Sequence, residues 1–194
     1  MSGAETGHDR NWIDGVHPST ASDEDDRMTT SPERLTTPPN GGIPNNPALP
    51  ALIFRAAVEP DEASARAKFR MNGWGGLWTW TVFDYHHWHP GSHEALACIR
   101  GWADLHLGGP EGSIVRIDAG DVAVLPAGFG HKRAASGDGF AVVGAYPPGQ
   151  ESPEICRADA MDMAAALDRI GKTPLPGTDP LGTGNVLAAW GATR

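Results

Sequence analysis

The chain has only two cysteines, Cys98 and Cys156, which stand in different segments and form no CxxC pair. That argues against a disulfide framework and fits a reducing compartment. Positive charge is scarce too. Fifteen Lys and Arg against twenty-four Asp and Glu give a formal charge of -9, with no basic stripe of the kind nucleic acid or an anionic membrane needs. No apolar run approaches the length of a membrane span, and Met1-Ser2-Gly3-Ala4-Glu5 lacks the positive start and apolar stretch of a secretory signal. The expectation is a cytoplasmic protein with no nucleic-acid or membrane partner.

The chain is rich in turn formers, with 25 Gly and 17 Pro among 194 residues. These divide it into short apolar segments. Strand candidates are Leu52 to Val58, Leu77 to Phe83, Tyr85 to His89, Glu94 to Arg100, Trp102 to Leu107, Ser113 to Ile117, Val122 to Leu125, His131 to Ala135 and Phe140 to Tyr146. Gly101, the run Gly108 to Gly112, Gly120-Asp121 and Gly137 to Gly139 sit where hairpins turn. Many short strands at near-regular spacing predict an all-β sandwich or barrel.

Pro60 to Met71, with Asp61-Glu62 at its start and Asn72-Gly73 beyond its end, reads as a helix. Arg157 to Gly171 reads as another, with Met161, Ala164, Ala165 and Leu167 as its buried stripe. Val186 to Trp190 is a candidate strand or short helix folding back over the barrel. Residues 1–42 differ from the rest. They carry the acidic run Asp23-Glu24-Asp25-Asp26 and few large apolar groups, which predicts a disordered acidic leader ahead of a domain over residues 43–194.

The chemistry concentrates in His87-Trp88-His89-Pro90-Gly91-Ser92-His93-Glu94 and, downstream, in Pro126-Ala127-Gly128-Phe129-Gly130-His131. Alternation along an extended chain sends His87 and His89 to one face and Trp88 to the other. Glu94 re-enters after the Pro90-Gly91 break, and the turn at Pro126-Ala127-Gly128 aims His131 inward. Three imidazoles and one carboxylate suit Fe(II), Mn(II), Ni(II), Zn(II) or Cu(II) and leave positions free for a small molecule. Alternation turns His86 and His93 away, to hydrogen-bonding or supporting roles. A kink in the loop would instead let His93 take the place of Glu94. Cys98 shares the parity of Glu94 and reads as a small buried apolar group. Trp78 and Trp80 read as one face of a core sheet or the wall of a mouth. Lys132 and Arg133 flank His131; exposure is their default, and recognition of a carboxylate is the sharper alternative.

These residues resemble the two motifs of the cupin superfamily. His87, His89, Glu94 and Gly101 fall in register with the first motif, and Gly120, Pro126, Gly128 and His131 with the second. Thr81 stands where the first motif usually opens with Gly, and Ala135 where the second often closes with Asn. More narrowly, Ile43-Pro44-Asn45-Asn46-Pro47, Asn72-Gly73-Trp74, His86-His87-Trp88-His89 and Gly144-Ala145-Tyr146-Pro147 are similar to the YjlB-like group of small bacterial cupins, which usually has Tyr at the place of Trp88. The resemblance implies a single-domain double-stranded β-helix, a jelly-roll barrel with flanking short helices, one divalent metal ion on His87, His89, Glu94 and His131, and pairing as a homodimer. It implies a metal-dependent enzyme, dioxygenase-like or isomerase-like, acting on a small polar metabolite. The alternative is a non-catalytic cupin that binds a sugar or another metabolite.

Overall fold

Short apolar segments punctuated by glycine must pair their backbones across hairpins, and here they do so in two antiparallel sheets. A computed structural model describes residues 31–191. The strands are β1 (Glu33–Leu35), β2 (Ala51–Phe54), β3 (Gly75–Trp80), β4 (Glu94–Arg100), β5 (Trp102–Leu107), β6 (Ser113–Asp118), β7 (Val122–Leu125), β8 (His131–Ser136) and β9 (Ala141–Tyr146). The helices are α1 (Glu62–Met71), α2 (Met163–Lys172) and α3 (Asn185–Ala189). The larger sheet runs β1-β2-β7-β4-β9-β3 and the smaller β6-β5-β8. This is the jelly-roll arrangement expected of the chain.

The two sheets differ in how they are covered. Along β4, Leu96 and Cys98 pack with Ala103, Leu105, Leu107 and Ile117 of the small sheet, forming the barrel interior. Ala95, Ala97 and Ile99 face the other way, into a second core with Ala65 and Phe69 of α1, Val186 of α3, and Trp190. The large sheet is therefore buried on both faces, and β2, β7 and β9 accordingly read as continuous apolar runs. Strand β5, by contrast, alternates between buried and half-buried residues, because the small sheet has one solvated face. The outer core is tied by segments far apart in sequence: Trp190 Nε1 donates to the Pro50 carbonyl at 2.9 Å, and Arg34 Nη2 to the Ala189 carbonyl at 2.9 Å.

Several boundaries move for local reasons. Helix α1 starts at Glu62 because Asp61 is its N-cap, its carboxylate accepting from the Ser64 N–H at 2.9 Å. Helix α2 starts six residues later than the apolar pattern suggests, at Met163, where the Asp162 carboxylate accepts from the N–H groups of Ala164 and Ala165. Its buried residues are Ala166 and Ile170, not Ala164 and Ala165, which are exposed. Tyr85 to His89 is not a strand, since its two bridges, His87 to His131 and Trp88 to Cys156, go to different partners on successive residues.

The expected leader falls only in part within the described residues. Residues 1–30, with the acidic run, lie outside the described residues. In the remainder, up to residue 42, Glu33–Leu35 pairs with β2 as an edge strand, and Asn40 forms a bridge with Ile43. Composition hid this strand because polar contacts hold it: Glu33 pairs with Arg55 at 2.7 Å, beside the Arg34 bond to Ala189. Among the described residues no helix is long and apolar enough to cross a membrane.

One close approach links the fold to the site. Gly144 of β9 lies opposite Trp78 of β3, and a Cβ on Gly144 would overlap the indole ring. Only glycine lets that ring lie across the strand. Gly144→Ala should therefore destabilise the protein by about 1–3 kcal/mol through overpacking, read as a lower urea midpoint with a changed tryptophan emission. An unchanged midpoint would show that the indole has another place to go.

Candidate metal centre

The connector between β3 and β4 holds its two key histidines by being fastened on alternate sides. His87 exchanges backbone hydrogen bonds with His131 at the start of β8, 3.1 Å one way and 2.9 Å the other. Trp88 exchanges backbone bonds with Cys156 at 2.9 Å each way, and its side chain leaves the barrel to pack with Ile43, Ala166 and Ile170. The indole Nε1 donates to the Arg157 carbonyl at 3.1 Å. The outward parity read for Trp88 thus leads into a third core, not to solvent. Glu94 is the first residue of β4 and faces the interior. The turn before His131 is fixed by Gly128, with φ +83°, whose N–H donates to the His89 carbonyl at 2.8 Å.

These elements bring the four sequence candidates together. One ring nitrogen from each of His87, His89 and His131 lies within 4.8 Å of the others, and all three residues are buried. The Nδ1 atoms face backbone carbonyls: Tyr85 at 3.4 Å for His87, Glu154 at 2.8 Å for His89, and Phe129 at 3.2 Å for His131. With the ring proton on Nδ1, the lone pair sits on Nε2, the tautomer a metal-binding histidine needs. Glu94 Oε2 lies 3.1 Å from His131 Nε2 and 3.5 Å from His89 Nε2.

Glu94 Oε1 accepts from the Tyr146 hydroxyl at 2.7 Å, and that hydroxyl accepts in turn from Trp78 Nε1 at 3.0 Å. His89 Nε2 and Glu94 Oε2 are buried without an aligned hydrogen-bond partner. Buried polar atoms are rarely left so, and a divalent cation among these donors would satisfy both. The residues fit a metal ion.

The electrostatics agree with that fit. Burial raises the Glu94 carboxyl, but His89 and His131 outweigh it and hold the group well below the usual carboxylate range, so it is an anion at neutral pH. Burial, reinforced by His131, drives His87 far below its ordinary value and keeps it neutral. Burial also opposes a charge on His89, yet the Glu94 carboxylate and the Glu154 carbonyl together raise it.

The donors form one end of a cavity of about 220 Å³ whose other walls include Trp78, Val82, Phe83 and Leu96. Trp80, 59% exposed, and Ile155, 50% exposed, also line it and reach solvent.

The remaining candidates fall elsewhere. His93 is buried outside the cluster; its Nδ1 accepts from the Ala127 N–H at 3.0 Å and its ring lies 4.8 Å from that of Trp190. It supports the turn that carries His131. His86 turns away as alternation requires and packs against His106, ring centroids 4.8 Å apart. Cys98 is buried in the barrel interior, where burial pushes its thiol up to about 11. Trp78 and Trp80 line the cavity. Sequence reasoning missed Tyr146 as the partner of Glu94. The available signal was register: Ala145 lies opposite Ala95, which sets Tyr146 beside Glu94.

Two antiparallel sheets closed into a jelly roll, with a histidine cluster inside, define a cupin. No family model matches the chain. The protein YjlB of Bacillus subtilis (strain 168), described as uncharacterized, is 35% identical over 144 residues, which is 74% of this chain and 86% of that one. The chain belongs to the YjlB-like group of cupins.

Among solved structures it is similar to a Klebsiella pneumoniae protein with a double-stranded β-helix domain, at 17% identity and a TM-score of 0.35 over 77% of this chain and 98% of that one. It is also similar to an acireductone dioxygenase from Bacillus anthracis, at 16% identity and a TM-score of 0.35 over 46% of this chain and 61% of that one. Neither likeness bears on what this chain does.

Tyr146→Phe removes the group that both supports Glu94 and accepts from Trp78. It should weaken binding of a divalent ion by about 10–100-fold, the usual cost of losing a partner behind a ligand. Titration of the metal-free protein with Zn(II) or Mn(II) checks this, and unchanged affinity would detach Tyr146 from the site.

Proposed function

We propose that His87, His89, Glu94 and His131 hold one divalent ion, Fe(II), Mn(II), Ni(II), Zn(II) or Cu(II), and that the protein is a metal-dependent enzyme acting on a small metabolite. The observation that carries this reading is the convergence of three imidazoles whose Nδ1 atoms face backbone carbonyls, next to a buried carboxylate oxygen without an aligned partner. An ion held there supplies Lewis acidity toward a substrate oxygen and, if it is Fe(II), redox chemistry with dioxygen.

The chain's own part is to bind, orient and exclude water. Trp78, Val82, Phe83 and Leu96 wall the cavity with apolar surface, which strengthens charge interactions inside it. Tyr146 keeps its proton, since burial and the Glu94 carboxylate raise its pKa, and it fixes the carboxylate by donating to Oε1. Apart from the four proposed ligands and Tyr146, the lining residues are Trp, Thr, Val, Phe, Leu and Ile, none of which titrates near neutrality. Side-chain acid–base catalysis is thus poorly supplied. Oxygenation and isomerisation driven by the ion fit better than hydrolysis by a side-chain pair.

The same shortage of acid–base groups favours one other reading, a non-catalytic cupin that binds a sugar or another metabolite through the ion. The accompanying readings, a cytoplasmic location and a homodimer, rest on composition and on the cupin resemblance.

Protein purified without added metal should carry a divalent ion by elemental analysis, and the double variant His87→Ala, His89→Ala should lose it while keeping its circular dichroism. Unchanged metal content would refute the assignment. An oxygen-uptake screen with catechols, thiols and diketones then separates the readings: turnover supports the enzyme, and tight binding without product supports the binder.

A further inference from the structure

Beyond the metal cavity lies a second recess that shares two of its walls. Trp80 and Thr81 line both the inner cavity and an open groove of about 530 Å³ running to the β8–β9 turn. Its charged walls are Arg100, Arg133 and Asp138. Arg100 ends β4 in the large sheet and Arg133 lies in β8 of the small one, so each sheet contributes one guanidinium.

We propose that this groove is an anion-binding subsite for the far end of the substrate. The substrate class is then a small molecule with metal-chelating oxygens at one end and a carboxylate or phosphate at the other. The inference rests on the proposed metal centre for the near end.

Three observations support it. First, the two guanidiniums are positioned by neutral partners, and although the Glu62 carboxylate feels the charge of Arg100 it is paired with Arg66. Arg100 Nε donates to the Gly139 carbonyl at 2.6 Å, and Arg133 Nη1 to the Ser136 hydroxyl at 3.3 Å. Among the described residues neither has a carboxylate within ion-pair distance, whereas Arg55, Arg66, Arg116 and Arg169 each do. Asp138 is exposed and is the one opposing charge in the groove. Second, the setting runs against the composition: in a chain of net charge -9, two arginines without carboxylate partners share one recess beside the cavity mouth.

Third, the inner cavity has no Lys or Arg among its lining residues, so of the two recesses it is the groove that offers cationic partners to an anionic group that does not reach the ion. A guanidinium presents a planar fork that matches carboxylate and phosphate oxygens. Trp80, exposed and held edge-on to Phe83 with ring centroids 5.6 Å apart, joins the two recesses and offers a surface to the middle of such a molecule.

The test uses the full chain loaded with Zn(II) and two catechols of equal length, dihydrocaffeate, which ends in a carboxylate, and neutral propylcatechol. Calorimetry should show dihydrocaffeate binding about 10–100-fold tighter, the value of charge-assisted hydrogen bonds in a partly exposed site. In Arg100→Gln, Arg133→Gln that preference should vanish while propylcatechol affinity and metal content stay unchanged. Equal affinities in the unmodified protein, or a preference that survives in the double variant, overturn the subsite.

Phenylpropionate and phenyl phosphate, which lack the chelating pair, are titrated against the metal-free protein. Binding that depends on the arginines supports the subsite even if the protein holds no ion, and the tighter of the two identifies carboxylate or phosphate as the natural anion. Equal binding of both probes by the unmodified protein and the double variant overturns the subsite whatever the state of the metal centre. Arg100→Gln and Arg133→Gln alone, checked by circular dichroism, guard against misfolding of the double variant.

Discussion

The backbone pairing of His87 with His131 is the constraint on which the site depends. The two residues are far apart in sequence and belong to different parts of the barrel, one to a connector leaving the large sheet and the other to the first position of β8 in the small one. Their paired hydrogen bonds set the imidazole centroids 4.0 Å apart before any side-chain interaction is counted. Trp88, fastened in the opposite direction, keeps the connector from rolling, so that His89 returns to the same side as His87. A site built on such main-chain bonds does not rely on flexible side chains to find one another, which is what preorganisation of a polar cluster requires.

The second constraint is the burial of Glu94. A fully buried carboxylate is costly unless charge and hydrogen bonds compensate it, and the barrel supplies both from different layers. His131 comes from the small sheet, and Tyr146 from the strand next to Glu94 in the large one. Trp78 completes the relay from β3. Gly144 belongs to the same device, because the indole reaches Tyr146 only by lying across a strand with no side chain at that point. A packing detail on the wall and the orientation of a proposed metal ligand are one problem here.

Much of this was legible in the sequence. Strands Glu94–Arg100, Trp102–Leu107 and Val122–Leu125 stand where apolar runs end in glycine turns, because local pattern and tertiary pairing agree there. The four candidate ligands could be read because strand parity survives even where the strand does not: residues 85–89 form no regular strand, yet His87 and His89 share a side.

What was hidden has a physical reason in each case. Glu33–Leu35 is held by polar contacts that leave no apolar signature. Helix α2 follows its Asp162 cap rather than the preceding apolar pattern. His93 and Tyr146 act through partners on distant segments, Ala127 and Glu94, and such pairings depend on register between strands, which one sequence does not display.

The clasp between the two ends of the described chain bears on how the protein comes into being. Arg34 holds the carbonyl of Ala189, and Trp190 closes over Pro50, so segments 155 and 140 residues apart in sequence must meet before the outer face of the large sheet is covered. Until they meet, the sheet presents an apolar face without that cover. Long-range pairings of this kind also slow folding. Refolding should therefore pass through an aggregation-prone interval that ends only when α3 docks on the large sheet.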